Sequence, residues 1–243
     1  MAESFVAGAY WGNRREDVES CTNRLAGFLG ALSEAHPLLA DWFRPGKTRV
    51  SAIGRPVEQT PDALRALLLA GRNRRDDDNS VMEELGFSAR LWNAKRYGAV
   101  LGVVCGTFSK WVSNAVSIEF PEAEDGAIGL YRPQVSRAVM VALAECWEPD
   151  WATLVSPALR RLQQAPPRGP VIGWMTYLSS SRDIDVSRLP DGVITERLAG
   201  GTLITIGLDV AGIRKELVLA VRESLGDALL PTPDVWRRQR QGN

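Results

Sequence analysis

The chain has 243 residues, of which 45% are hydrophobic and 24% charged, ordinary globular values that exclude a disordered or fibrous polypeptide. Lys plus Arg and Asp plus Glu both number 29, so the formal net charge is zero; a dedicated nucleic-acid binder would carry a basic excess, and only local patches of either sign remain open. No apolar run is long enough to cross a membrane, and Met1-Ala2-Glu3-Ser4-Phe5 lacks the basic and apolar regions of a secretory signal, so a cytoplasmic location is expected.

Phe5–Trp11 mixes apolar and small residues and predicts a strand. From Glu16, apolar positions at Val18, Cys21, Leu25, Phe28, Leu29 and Leu32 follow the three-four spacing of one helix face. Pro37 restricts His36 away from helical geometry, which ends this helix near Ala35. A short turn carrying Leu38, Leu39, Trp42 and Phe43 precedes a loop from Arg44 to Gln59. Thr60-Pro61 starts a second helix, an N-cap followed by proline at the first helical position. That helix runs through Leu64, Leu67 and Leu68 toward Gly71. Arg72–Asn79 is charge and amide throughout and is expected in solvent, and Ser80 with Glu83 has the capping-box pattern for one short helix before Gly86.

Three runs, Phe87–Trp92, Ala99–Phe108 and Asn114–Phe120, read as an antiparallel meander. The second has little polar alternation, as expected for a strand buried on both faces. After the acidic loop Pro121–Gly126, Pro133 opens a helix with Val135, Val139, Leu143 and Cys146 on one face, ending near Trp147. Asp150-Trp151 and Ser156-Pro157 read as starts of short helical pieces. Pro166, Pro167 and Pro170 mark a connector near 165–170. Beyond it come a strand over Val171–Leu178 and a polar loop over Ser179–Asp191. A hairpin follows, with Val193–Leu198 and Thr202–Leu208 joined through Gly200-Gly201, and then a helix carrying Ile213, Leu217, Val221 and Leu225. The tail 234–243 is basic and expected to fray. These elements predict an α+β fold, a mixed and largely antiparallel sheet covered by several helices, with no internal repeat.

Catalytic and cofactor signatures are missing from the sequence, and no cofactor is expected. His36 is the one histidine and reads as a helix-terminal residue bonded to backbone. The glycines at Gly98, Gly102 and Gly106 lack the Lys-Ser/Thr ending of a phosphate loop and fit close sheet packing better. Cys21, Cys105 and Cys146 are widely spaced in apolar patterns, against a disulfide framework or a zinc site. Asp76-Asp77-Asp78 and Asp183-x-Asp185 read as solvated loops rather than metal sites. Of eight tryptophans, Trp11, Trp42, Trp147 and Trp174 fit the core. Trp92, Trp111, Trp151 and Trp236 lie in polar context, where exposure at an interface is the expectation. A surface that recognises another macromolecule is favoured over enzyme chemistry.

The order of Tyr10-Trp11-Gly12, Arg15-Glu16, a helix with Cys21 and Leu25, Trp42-Phe43 and Arg44-Pro45-Gly46, continued by the central strands and Gly173-Trp174, resembles the immunity protein 52 family of bacterial polymorphic-toxin systems. The resemblance implies one immunity domain over 1–243 and a partner, the cognate nuclease toxin of a type VI secretion system, with a restriction-endonuclease-like fold. It implies neutralisation of that DNase by binding, with no catalysis and no direct nucleic-acid or membrane contact. Since a nuclease presents a basic face to DNA, toxin contact is expected from acidic loops: Glu122, Glu124 and Asp125 first, then Asp183 and Asp185, with Asp76–Asp78 a further patch. A secretion adaptor or chaperone is the rival reading, and an enzyme of unrecognised type comes third.

Overall fold

A computed structural model describes residues 3–93, 98–123, 127–165 and 169–231. Among them are eight strands in a largely antiparallel sheet and six α-helices, so the fold is α+β. The described residues fall into two compact units, one built on Tyr10–Ile118 and the other on the residues before Tyr10 together with those from Glu119 onward.

The Tyr10–Ile118 unit receives the end of β1 (Val6–Trp11) and then α1 (Val18–Ala35). Asp17 caps α1 by accepting from the Ser20 amide, which satisfies one of the open donors of the first turn. His36 ends the helix in extended geometry, and its Nδ1 accepts from the Leu38 amide at 3.1 Å. The backbone-bonded histidine is therefore as expected. The Arg44–Gln59 segment differs from the expected loop by containing α2 (Arg49–Ile53), one turn held by a capping box between Thr48 and Ser51. Helix α3 (Pro61–Ala70), capped by Thr60, packs its Leu64, Leu67 and Leu68 inward and ends at Gly71. Gly71 lies against the next strand so closely that a Cβ there would fall 1.7 Å from the Ser88 carbonyl oxygen.

Strands β2 (Phe87–Trp92), β3 (Val100–Cys105) and β4 (Asn114–Glu119) form the meander in that order. The β2–β3 register runs from Phe87 opposite Cys105 to Trp92 opposite Val100. Strand β3 alternates buried and half-buried residues, where the sequence predicted burial on both faces. Phe43 and Trp92 exchange backbone hydrogen bonds of 2.7 and 2.9 Å, which lays the Trp42-Phe43 segment along β2. The Ser80 capping box does not form: the Ser80 amide bonds the Asp78 carboxylate, and Glu83–Leu85 is a 3₁₀ turn without a side-chain cap.

In the other unit, Pro133 opens α4 (Pro133–Trp147), as its position predicts. Glu148 then takes a left-handed conformation and breaks the helix. The chain returns as β5 (Trp151–Val155), every residue buried. A helical piece was expected here; a five-residue apolar run is too short to show a period, and burial on both sides decides for strand. Ser156 caps α5 (Pro157–Leu162). Strand β6 (Met175–Leu178) covers only the end of the expected Val171–Leu178 strand. Gln163 holds the segment before it, donating to the carbonyls of Leu159 and Ile172 and accepting from the Ile172 amide.

β7 (Val193–Leu198) and β8 (Gly201–Ile206) form the hairpin, and the strand order is β5-β6-β8-β7. The two-residue turn is Ala199-Gly200, at φ 46° and 78°, as a tight hairpin demands. It lies one residue earlier than the expected Gly200-Gly201. Gly201 instead pairs with Leu198. Helix α6 (Lys215–Leu225) buries Leu217, Val218, Val221 and Leu225. No helix among the described residues is long and apolar enough to cross a membrane. Residues 166–168 of the connector and the tail 234–243 lie outside the described residues.

Gly71→Ala is expected to destabilise the fold by about 2 kcal/mol or more, because backbone on both sides must move to admit the methyl. Thermal unfolding followed by circular dichroism measures it, with a melting temperature lower by several degrees as the expected result.

Candidate functional site

Glu122 is exposed in the loop that leaves β4. The start of that loop is fixed from below: the Tyr131 hydroxyl donates to the Pro121 carbonyl, and the Phe120 amide bonds the Phe5 carbonyl at 2.8 Å. The Tyr131 ring meets Phe5 and Phe120 edge-to-face at 5.7 and 5.8 Å. Burial pushes the Tyr131 phenol up to about 12, and the negative charges of Glu122 and Glu3 act in the same direction. Glu124 and Asp125 lie outside the described residues.

Asp183 and Asp185 are exposed in a different loop, between β6 and β7. Asp185 caps a 3₁₀ turn over Val186–Arg188, accepting from the Ser187 amide at 3.0 Å and its hydroxyl at 2.6 Å. These two bonds hold its carboxyl below the usual range. Asp78 is lowered in the same way by Ser80. Both carboxylates are engaged in local turns. Among the described residues no group of three or more His, Cys, Asp or Glu is placed to hold a metal ion.

A second surface, in the Tyr10–Ile118 unit, was not singled out by sequence. Four cations lie over four aromatic rings near the β3–β4 connection: Arg14 over Trp11, Arg15 over Phe108 and Lys110 over Trp111, each at 4.9 Å, and Arg72 over Phe87 at 5.8 Å. Glu16, with its side chain 10% exposed, receives Arg14 at 3.1 Å and Arg24 at 2.7 Å. A groove of about 300 Å³ opens here, lined by Arg15, Glu16, Phe87 and Phe108 among others. Arg72 on its wall also pairs with Glu83 at 2.7 Å. The cation–ring contacts stiffen exposed side chains that otherwise sample many rotamers.

The loop carrying Phe108, Lys110 and Trp111 is ordered by a buried polar network. Asn114, with no exposure, accepts from the Thr107 amide at 2.9 Å and donates to the carbonyls of Gly12 and Thr107 at 2.7 and 3.1 Å. The Thr107 hydroxyl bonds the carbonyls of Glu84 and Val112. The Ser109 amide donates to that hydroxyl, and the Trp111 amide donates to the Ser109 hydroxyl. Gly106, at φ 69°, makes the turn into the loop. The Arg14 amide bonds the Thr107 carbonyl at 3.0 Å, which ties the charged turn before α1 to the same point.

Trp111 is 73% exposed, in line with its polar sequence context. Trp11, Trp42, Trp147 and Trp174 are core, as expected. Trp151 corrects the sequence reading: at 4% exposure it is a core residue of β5. Trp92 is half-buried, Gly98 lies against its indole, and Trp236 is outside the described residues. Cys21 and Cys105 are buried. A hydrogen bond between their side chains, together with burial, pushes the Cys105 thiol well up, so it stays protonated and unreactive.

The chain belongs to the immunity protein 52 family, whose model matches residues 3–223. The solved structure of the Pseudomonas aeruginosa T6SS protein PA0821 is similar in fold, with a TM-score of 0.56, 14% identity and coverage of 93% of this chain and 76% of that one. No curated protein matches the chain.

Asn114→Ala removes the acceptor of the buried Thr107 amide and one donor each from the Gly12 and Thr107 carbonyls, and is expected to cost about 3 kcal/mol, read as a lower urea midpoint. Tyr131 supplies a pH test. Its folded-state pKa lies above the ordinary value of 10, so the folded protein holds a proton the unfolded chain releases. The associated stability is present below pH 10 and lost as pH rises toward about 12. Absorbance titration should show late-ionising tyrosine, since burial also raises Tyr177, and Tyr131→Phe should reduce the amplitude of that phase.

Proposed function

We propose that this protein neutralises, by direct stoichiometric binding, a nuclease toxin delivered by a type VI secretion system, and so protects the producing cell and its siblings. The observation that carries the reading is the family match over residues 3–223: an immunity family implies a toxin partner. The match runs through both compact units, which supports treating the chain as one immunity domain. The T6SS protein of similar fold supports the secretion context, and the sequence resemblance supports a DNase with a restriction-endonuclease-like fold as the target. Neutralisation takes place in the cytoplasm and requires no cofactor or catalytic residue of this chain.

An immunity protein must win against a lethal enzyme at low concentration, so nanomolar affinity is expected, a binding free energy of about 12 kcal/mol. In this reading Glu122, Glu124, Asp125, Asp183 and Asp185 face the basic, DNA-binding side of the toxin and speed encounter.

Co-expression with the cognate nuclease toxin is expected to restore growth, and the purified pair to co-elute with DNA cleavage reduced to background at equimolar ratio. Persistent growth arrest without a complex contradicts the proposal. A stable complex that still cleaves DNA identifies a secretion adaptor instead.

A further inference from the structure

We propose that Trp111 is the anchor with which this protein docks on its toxin, entering an apolar pocket rimmed by carboxylates on that partner; the inference rests on the immunity reading above.

Three observations converge on it. Trp111 is the one exposed aromatic side chain among the described residues, at 73% exposure, and tryptophan is the residue most enriched among binding hot spots. Its loop is already ordered. The chain of bonds from Asn114 through Thr107 and Ser109 ends on the Trp111 amide, so little backbone entropy is lost when a partner closes on it. Arg15 and Lys110 hold their charges over the faces of Phe108 and Trp111 on the same loop.

Those two cations fix the chemistry of the occupant. A partner that buries the indole must also receive Arg15 and Lys110, which calls for carboxylates around its pocket. Duplex DNA would attract the cations, but the zero net charge withholds the broad basic field that DNA binding uses. A second copy of this chain would bring like charges together around a two-fold axis. A protein with an acidic, aromatic-accepting hollow fits both features.

The test uses the full chain and the polypeptide encoded by the adjoining reading frame, in a catalytically inactive form, with affinity and rates measured by biolayer interferometry. Trp111→Ala is expected to weaken binding on the order of 100-fold, mostly by faster dissociation. Trp111→Phe should recover part of the loss. The double variant Arg15→Glu with Lys110→Glu should slow association and flatten its salt dependence. Leu208→Ala, an exposed apolar residue in the other unit, should bind as wild type does. Circular dichroism of each variant confirms the fold.

Wild-type affinity in Trp111→Ala overturns the proposal while the immunity reading stands. Absence of binding by the wild-type chain overturns the immunity reading, and the proposal with it. Saturable binding of a labelled duplex DNA, or a sedimenting dimer, that is lost in Trp111→Ala assigns the surface to another occupant and also overturns the proposal.

Discussion

A single buried amide fixes the end of the Tyr10–Ile118 unit. Asn114 opens β4 with no exposure, and its side chain joins the Gly12 carbonyl to both backbone groups of Thr107. An amide in that position has to find all its partners, because an unsatisfied polar group in the interior costs several times what a typical hydrogen bond contributes. The partners are distant in sequence, so the requirement links the turn after β1, the exit from β3 and the Glu84 carbonyl into one arrangement. Arg14, Arg15, Phe108 and Trp111 take their places from it.

The consequence is a surface whose exposed groups are held before any partner arrives. Cations lie over aromatic faces, Glu16 is clamped by two arginines, and Trp111 projects from a loop whose backbone is already bonded. Preorganisation of this kind raises affinity without enlarging an interface. The acidic loops are built differently. Asp185 and Asp78 have their carboxylates engaged in local turns, and Glu122 follows a loop start held by the Tyr131 hydroxyl at the Pro121 carbonyl. Exposed charges of that sort act at range and chiefly on the rate of encounter. In the proposed complex, the first kind of surface suits anchoring and the second suits steering.

Local rules carried far in the sequence. The Thr60-Pro61 start of α3, the Pro37 stop of α1 and the Pro133 start of α4 were all legible, because capping and proline geometry depend on neighbouring residues. The meander was legible from its turn-prone separators. Trp151 was misplaced because Asp150 and Pro149 make its context look polar, while burial comes from strands far along the chain. The hairpin turn was misplaced by one residue because both Ala199 and Gly201 flank the obligatory Gly200, and only the β7–β8 register chooses between them. The Asn114 network had no sequence signal, since its key bond spans 102 positions. Trp111 was legible as an exposed aromatic, yet its setting among Arg15, Phe108 and Lys110 was not.

The central claim is that an immunity protein of this fold engages its toxin through the ordered β3–β4 connection. Hydrogen exchange of the complex against the free chain tests it most directly, because it reports backbone protection at every segment in one experiment. The account predicts new protection over residues 106–113 and at the turn before α1 when the catalytically inactive toxin is bound. Unchanged exchange there, with protection confined to the loops of Glu122 and of Asp183 and Asp185, would contradict it.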